Sequence, residues 1–564
     1  MSPAPALPES LDFDHHLSKR TRALQAGSMK ALGKLLADKK NLLSLAGGGD
    51  ATPYDFILTS EFVSESTPAS LFPMNHATFT SPSLASLSSG NVKSWQEGTS
   101  ETTLQHLKKT GPGTENDPSG VLDLNVVLQY GLTNGFSVFS DQLREINHLV
   151  HGQKYADQSI YISLGNTDGV SKTFKLLVEP DVDTVLTEEY SFSSSLNSGR
   201  AIGAKFYPIK IDKSGLIPED LDNVLSSWRE ETQGRKPHVL YTIPCGQNPT
   251  GTIQPEERYE QIYEICRKHD VIIVEDDPYF ALQYTPYESD QSIRASNFAA
   301  ARDQMPPLPA VGGPDDLEKV ASVFNEYAGV KSYLSRDVDG RVVRIDTFSK
   351  VFGPGLRIGW VTSNSAFTER LMRLGETSTQ VPSNLSQAVV SSYLSEENWG
   401  ISGWIRWSWA VRLEYELKRN FFLDSFAKYV NPAQASTVPC QAGMFQWIAI
   451  DVASHPQFRK TLVNSGVDSV HIEPTEVAGL IPKSSDNEYT NNTGELIDDL
   501  WNYLIHHADV LLMPAKLFQV PKPGVDESDR LNFFRATFAG DLVTIDKALQ
   551  AFGKGLDEWF SKKD

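Results

Sequence analysis

In the stretch RIDTFSKVFGPGLRIGW, residues 344–360, one lysine follows a short β-type run, VVRID, and stands among threonine, serine and glycine, with an arginine seven residues further on. A lysine on a solvated surface needs no such surroundings. One that attacks a carbonyl must be deprotonated, which burial and cationic neighbours promote. Thr347, Ser349 and Arg357 around Lys350 are the donors that a phosphate oxyanion requires. The chemistry that fits both is a covalent anchor at Lys350 for a phosphate-bearing cofactor, with Arg357 on the phosphate. Taken alone, a lysine in a Ser/Gly loop is an ordinary solvated side chain.

Three other stretches end a β-type run in polar residues. In LGNTDGVSKTF (164–174) a helix begins just after Gly165, and the free N–H groups and dipole of a helix start favour an anion such as phosphate. Asn166 and Thr167 would supply those N–H groups and side-chain donors, although the same turn is also an ordinary capped helix start. In YTIPCGQNPTGTI (241–253) the NPTG turn can aim the Asn248 amide at a ligand oxygen, or can simply be a turn. In VIIVEDDPYF (271–280) acidic residues close a strongly apolar run. One inward-facing carboxylate there, Asp276, could hold a cationic ring nitrogen in its charged state, with the phenol of Tyr279 close by. The bland reading is a solvated strand end.

These segments need a scaffold. YISLG, TVLTE, AKFYPI, HVLYTIP, VIIVED and VVRIDTF read as six strands between about residues 140 and 380, separated by stretches such as GVSKTFKLLVE and ERYEQIYEICRKH with helical apolar spacing. Strands alternating with helices predict a parallel, helix-covered sheet, in which ligands sit at the carboxyl ends of the strands. The chain divides into an arm (1–58), a Ser/Pro-rich segment (59–120), a large domain (121–400) and a smaller α+β domain (401–564), the last opened by a tryptophan-bearing helical region. MPPLPAVGG reads as an exposed loop interrupting the large domain.

With 564 residues, 40% apolar and 22% charged, the chain is of ordinary globular composition. Its net charge of −20 argues against general affinity for nucleic acid or anionic membrane. Three cysteines without metal-type spacing fit a reducing compartment and no metal site. No apolar run approaches the about 20 residues that span a bilayer, and the N-terminus lacks a signal-peptide core, so the cytoplasm is the expected location.

Together, and in this order along the chain, the segments resemble the fold-type-I pyridoxal-phosphate aminotransferases, in the branch of the 2-aminoadipate/kynurenine and fungal aromatic aminotransferases. SLAGGG, LQYGLTNG, NPTG, EDDPYF, SRDVDGRVVRIDTFSKVFGPGLRIGW, QAGMFQWI and FFRATF carry the resemblance, over roughly residues 15–60 and 120–560. The resemblance implies pyridoxal 5′-phosphate bound covalently at Lys350, which also acts as general base, with Asp276 on the pyridine nitrogen. It implies Tyr279 and Asn248 on the phenolic oxygen, and Asn166, Thr167, Thr347, Ser349 and Arg357 at or beside the phosphate. Tyr130 is similar to a tyrosine that reaches the phosphate from a neighbouring subunit, so a homodimer is expected. Arg535 resembles the arginine that takes the substrate α-carboxylate, with Asn248 and Tyr130 near the substrate and Gly47 and Gly48 closing over it. Phe192, in TEEYSFSSSL, stands where relatives place an aromatic over the cofactor ring, although Tyr190 is close by. Ala515 and the pair Asn166-Thr167 depart from the usual residues at their positions.

The implied activity is transfer of an amino group from an aromatic amino acid to a 2-oxo acid such as 2-oxoglutarate, by a ping-pong scheme. The alternative is 2-aminoadipate or kynurenine as donor. A transcription regulator built on the same fold would carry a basic winged-helix module, for which residues 1–58 are too short. A cofactor-dependent lyase would share Lys350 and is separated by its products.

Overall fold

The computed structural model describes residues 133–307, 315–462 and 489–562, apart from 328, 397 and 526, together with 43–44, 122 and 127. Tyr130, Gly47, Gly48 and the Ser/Pro-rich segment lie outside the described residues.

All six expected runs form strands: β1 (Gln158–Ser163), β2 (Thr184–Glu188), β3 (Lys205–Ile209), β4 (Val239–Thr242), β5 (Ile272–Asp276) and β6 (Val342–Thr347). A seventh, β7 (Gly359–Asn364), was not expected, because GWVTSN mixes apolar with polar residues. Its place is fixed by pairing on both sides. The sheet order is β1-β7-β6-β5-β4-β2-β3. Strands β3, β2, β4, β5 and β6 are parallel throughout, and β7 runs antiparallel to both β6 and β1. Every residue of β2, β4 and β6 is buried, which suits continuous apolar runs covered by helices on both faces.

Among the described residues, the helices packed near this sheet include α1 (Ser137–His151), α2 (Asn166–Leu177), α3 (Ser193–Ala201) and α4 (Glu256–His269). A helix of 30 residues, α5 (Gly400–Tyr429), carries the tryptophans and touches both large-domain helices and the C-terminal helix Leu542–Phe560. Its many buried residues include Arg406, Arg412 and Arg419, each held by partners. Arg406 pairs with Asp315 at 2.8 Å, Arg412 lies 4.2 Å from the Phe324 ring centre, and Arg419 donates to the Cys440 carbonyl.

The C-terminal part builds an antiparallel sheet from β8 (Ala435–Thr437), β9 (Phe445–Ile450), β10 (Met513–Pro514) and β11 (Phe533–Thr537), in the order β8-β9-β11-β10. In β11, Arg535 is paired in register with Trp447 on one side and Met513 on the other. Where the two parts meet, Gly246 (φ +61°) lies so close to Gly443 that a Cβ would fall 2.6 Å from the Gly443 nitrogen. Among the described residues no helix is long and apolar enough to cross a membrane.

Candidate active site

Because β1, β4, β5 and β6 all point the same way, their carboxyl ends share one edge of the sheet. At or just past these ends come Asn166, Asn248, Asp276 and Lys350, from segments up to 184 positions apart in sequence. Lys350 closes a 3₁₀ turn (Phe348–Lys350) directly after β6. The Thr347 hydroxyl caps this turn by accepting from the Ser349 N–H at 3.1 Å. Beneath it, the Phe348 ring packs against Trp360 and Trp404 at 5.0 and 4.9 Å, and the Trp407 indole donates to the Val351 carbonyl. The lysine therefore projects from a turn held rigidly from below. Burial pushes its amine down to about 8, helped by the positive charges of Arg535 and Arg357 and opposed by Asp276.

One end of the site is built for an anion. Arg357 sits in the left-handed region (φ 54°) and reaches back so that Nη2 donates to the Leu164 carbonyl at 3.2 Å. Its Nη1 donates to the Pro354 carbonyl at 3.1 Å and lies 3.5 Å from the Ser349 hydroxyl. Gly165, just before α2, has φ +73°, and a Cβ there would fall 2.6 Å from Arg357 Nη2. Glycine is thus favoured by its backbone angle, and a Cβ there would displace the guanidinium beside it. The start of α2, the Ser349 hydroxyl and Arg357 converge, and Thr167 is exposed as the second residue of that helix. The Thr347 hydroxyl is spent internally, lying 2.9 Å from both the Ile358 carbonyl and Ser349 Oγ.

The other end gathers Asp276, Tyr279, Asn248 and Arg535, all buried. Asp276 accepts hydrogen bonds on both oxygens, from Asn166 Nδ2 at 2.7 Å and from the Tyr241 hydroxyl at 2.7 Å. The sequence reading sets Asn166 among the phosphate contacts; its side chain instead turns to Asp276 and to the Ile345 carbonyl at 3.2 Å, leaving only its backbone at the helix start. Burial raises the Asp276 carboxyl to about 6, while the two hydrogen bonds pull it back toward ionisation. Asn248 Oδ1 accepts from Arg535 Nη1 at 2.8 Å, which joins the NPTG turn to β11. Burial lowers the Arg535 guanidinium to about 10, and Tyr279 acts in the other direction. Its guanidinium carbon lies 4.2 Å from the Phe445 ring centre and 4.9 Å from that of Phe518. Burial raises the Tyr279 phenol above its ordinary value, against the pull of Arg535 and Asn248.

The description "aminotransferase class I and II" matches residues 84–552 of the chain. The chain belongs to the class I and II aminotransferases. It is 34% identical to an L-tyrosine:2-oxoglutarate aminotransferase of Serpula lacrymans, over 98% of this chain and 96% of that protein. It is 33% identical to an aromatic amino acid aminotransferase of Schizosaccharomyces pombe, over 82% of this chain and 88% of that one. A crystal structure of an aminotransferase from Candida albicans superposes with a TM-score of 0.67 at 29% identity, covering 99% of this chain and 100% of that chain.

Membership of the class I and II aminotransferases implies pyridoxal 5′-phosphate, and the residues present suit it. There is an amine for an aldehyde, a buried carboxylate for a ring nitrogen, and a helix start with an arginine for a phosphate, beside a glycine whose Cβ would intrude. Phe192 is the N-cap residue of α3 and only partly buried, whereas the Tyr190 hydroxyl donates to the Arg530 carbonyl and its ring packs on Trp447. Tyr190 thus serves the joint between the two sheets.

Two functional features escaped the sequence reading. Tyr241 opens the quoted strand segment and was assigned no role, yet a buried tyrosine needs a partner for its hydroxyl. Arg344 opens the lysine stretch and is fully buried. It lies 3.2 Å from Glu275, 2.9 Å from Asp277 and 2.7 Å from Asp346. Along β5 successive side chains alternate, so Asp276 faces the site while Glu275 and Asp277 face Arg344. A charge in the middle of VVRID was the available signal for that cluster.

Proposed function

We propose that this protein is an aromatic amino acid aminotransferase that passes the amino group to a 2-oxo acid such as 2-oxoglutarate. The observation that carries this reading is the Arg535–Asn248 hydrogen bond, 2.8 Å, which sets a carboxylate-binding guanidinium in the same buried site as Lys350 and Asp276. Both half-reactions need a carboxylate held there, since donor and acceptor each carry one. The substrate class rests on the tyrosine and aromatic aminotransferases among the relatives. Phe445 and Phe518 at the arginine add an apolar setting for a ring.

When bound, the cofactor supplies an aldehyde to receive the amino group and a ring that accepts charge from the substrate α-carbon. Arg535 grips the α-carboxylate in the plane of its N–H fork. Asp276, buried at the strand end, would keep a proton on the ring nitrogen. Lys350 carries the proton to and from the α-carbon, and with an amine near 8 about a tenth of it is neutral at pH 7, against roughly one part in three thousand at the ordinary value. Asn248 and Tyr279 would hold the phenolic oxygen of the cofactor, and the α2 start, Ser349 and Arg357 would hold its phosphate. A homodimer in the cytoplasm, with Tyr130 reaching a neighbouring site, is the assembly this reading carries.

The test is the absorbance of the purified protein with phenylalanine, tyrosine, tryptophan, kynurenine or 2-aminoadipate. The expected result is a visible band bleached by the aromatic donors and restored by 2-oxoglutarate. Bleaching by 2-aminoadipate alone would overturn the substrate class, and release of ammonia with pyruvate would overturn the reaction.

A further inference from the structure

Asp276 is held from two independent directions. Tyr241, on the neighbouring parallel strand β4, is fully buried and gives its hydroxyl to Oδ2 at 2.7 Å. Its ring packs edge-on against Phe174 of α2 at 5.5 Å, so the phenol has a fixed approach. Asn166, the first residue of α2, gives one amide hydrogen to Oδ1 at 2.7 Å and the other to the Ile345 carbonyl at 3.2 Å, so it too is braced. Neither donor carries a charge. Both contacts favour the ionised carboxylate, because a protonated acid would surrender acceptor capacity to one of them.

We propose that Tyr241 is a positioning residue, seconded by Asn166, which fixes the plane of the Asp276 carboxylate and keeps it ionised for the ring nitrogen of the cofactor. The proposal rests on the aminotransferase reading of Asp276 and goes beyond it by assigning the control of that carboxylate to a residue that touches neither cofactor nor substrate.

The charged groups around Asp276 do not supply this control by themselves. From β6, Arg344 favours the ionised form and Asp346 opposes it, and Arg344 is already shared among Asp346, Glu275 and Asp277. Lys350, beyond the end of β6, is about nine-tenths charged at pH 7 and favours the ionised form, but that charge fades as the pH rises through about 8. Tyr279 is neutral in this range. On the Tyr241 side, Glu188 of β2 lies near the phenol and Ser195 of α3 is within hydrogen-bonding reach of it. Burial is the largest influence on Asp276 and raises its pKa, so the sign follows directly. Loss of a donor raises it further, and the carboxylate then loses its charge at a higher pH on the way down.

The experiment measures the dissociation constant of pyridoxal phosphate from the full-length protein, wild type and Tyr241→Phe, from about pH 5 to about pH 9, with the melting temperature of the cofactor-free protein alongside. The substitution keeps the ring on Phe174 and removes only the hydroxyl. The expected result is roughly 10- to 100-fold weaker retention near neutral pH, the range for a hydrogen bond to a charged group. The pH below which retention fails should also move upward. A variant that matches wild type in both affinity and pH midpoint overturns the proposal. Should Tyr241→Phe not fold, Asn166→Ala makes the same test on Oδ1, with the same direction expected and an unchanged midpoint again overturning it. A wild-type protein that binds no pyridoxal phosphate would instead remove the reading on which the proposal stands.

Discussion

The two ends of the site bury opposite charges by different means. On the large-domain side, Asp276 is stabilised by directed hydrogen bonds from Tyr241 and Asn166, each 2.7 Å long. On the small-domain side, Arg535 rests beside two aromatic rings, at 4.2 and 4.9 Å, with Asn248 as its hydrogen-bonded link to the large domain. A carboxylate has lone pairs that want donors. A guanidinium has flat faces that ring quadrupoles can cover, while its hydrogen bonds are made in its plane. The large domain therefore fixes a charge by position, and the small domain fixes one by orientation, ready for a planar ligand. Asn248 is where the two schemes touch.

The deepest break in this contrast is Lys350→Ala, which removes the amine that both halves bias, burial and Arg535 lowering it and Asp276 raising it. Turnover should fall by roughly 10⁴-fold or more, as expected when a nucleophile and general base are lost together. Single-turnover assays, with circular dichroism to show retained folding, check this. In the wild type the acid limb of the rate should follow the same amine. Its neutral fraction drops tenfold for each pH unit below about 8 and is restored above it, so a rate rising through that region is the expected profile.

Next in size is Arg344→Met, which tests how firmly the large-domain half is held from behind. It would leave Glu275, Asp277 and Asp346 buried without their shared cation. Breaking a buried charge cluster in this way costs about 3–5 kcal/mol, read as a lower midpoint in urea with unchanged slope. Arg535→Lys follows. It keeps the charge on the small-domain side but loses the planar fork, so kcat/KM for both amino acid and oxo acid should fall roughly 10- to 100-fold. Equal losses for the two substrates would mark the α-carboxylate as the shared ligand, and a loss for one alone would break the assignment.

The sequence revealed the large-domain half more fully than the small-domain half, for a physical reason. In a parallel sheet the ligand-facing residues follow directly on strand ends, so local signals such as NPTG after YTIPCGQ or Lys350 after VVRIDTF carry their own position. Six strands could be located from apolar runs, while β7 was missed because its placement comes from pairing rather than composition. The partners of Asp276 were missed for a related reason. Tyr241 reaches it across a strand pairing whose register no local pattern encodes, and Asn166 was read as a helix-start residue when its side chain points the other way. Arg535 was found only through resemblance, since a buried arginine in FFRATF is equally at home in a structural ion pair. Its aromatic setting comes from β9 and from the turn after β10, about 90 and 17 residues away in the chain.

The smallest expected effect is also the one that separates orientation from packing. Phe518→Leu conserves most of the apolar volume but removes one ring from beside Arg535. Phe518 also packs against Trp447 at 6.4 Å, so some loss of stability, about 1 kcal/mol, is expected from repacking alone. The cation–π contact of a buried guanidinium adds about 1–2 kcal/mol. If that contact orients the guanidinium, its loss weakens carboxylate binding in ground and transition states alike, so KM should rise roughly 5- to 30-fold with kcat nearly unchanged. Phe518→Tyr, which keeps a ring face, should return most of the affinity. A Phe518→Leu protein with a lowered melting temperature but wild-type KM would show that the ring only fills space, and the orientation of Arg535 would then rest on Phe445 and Asn248.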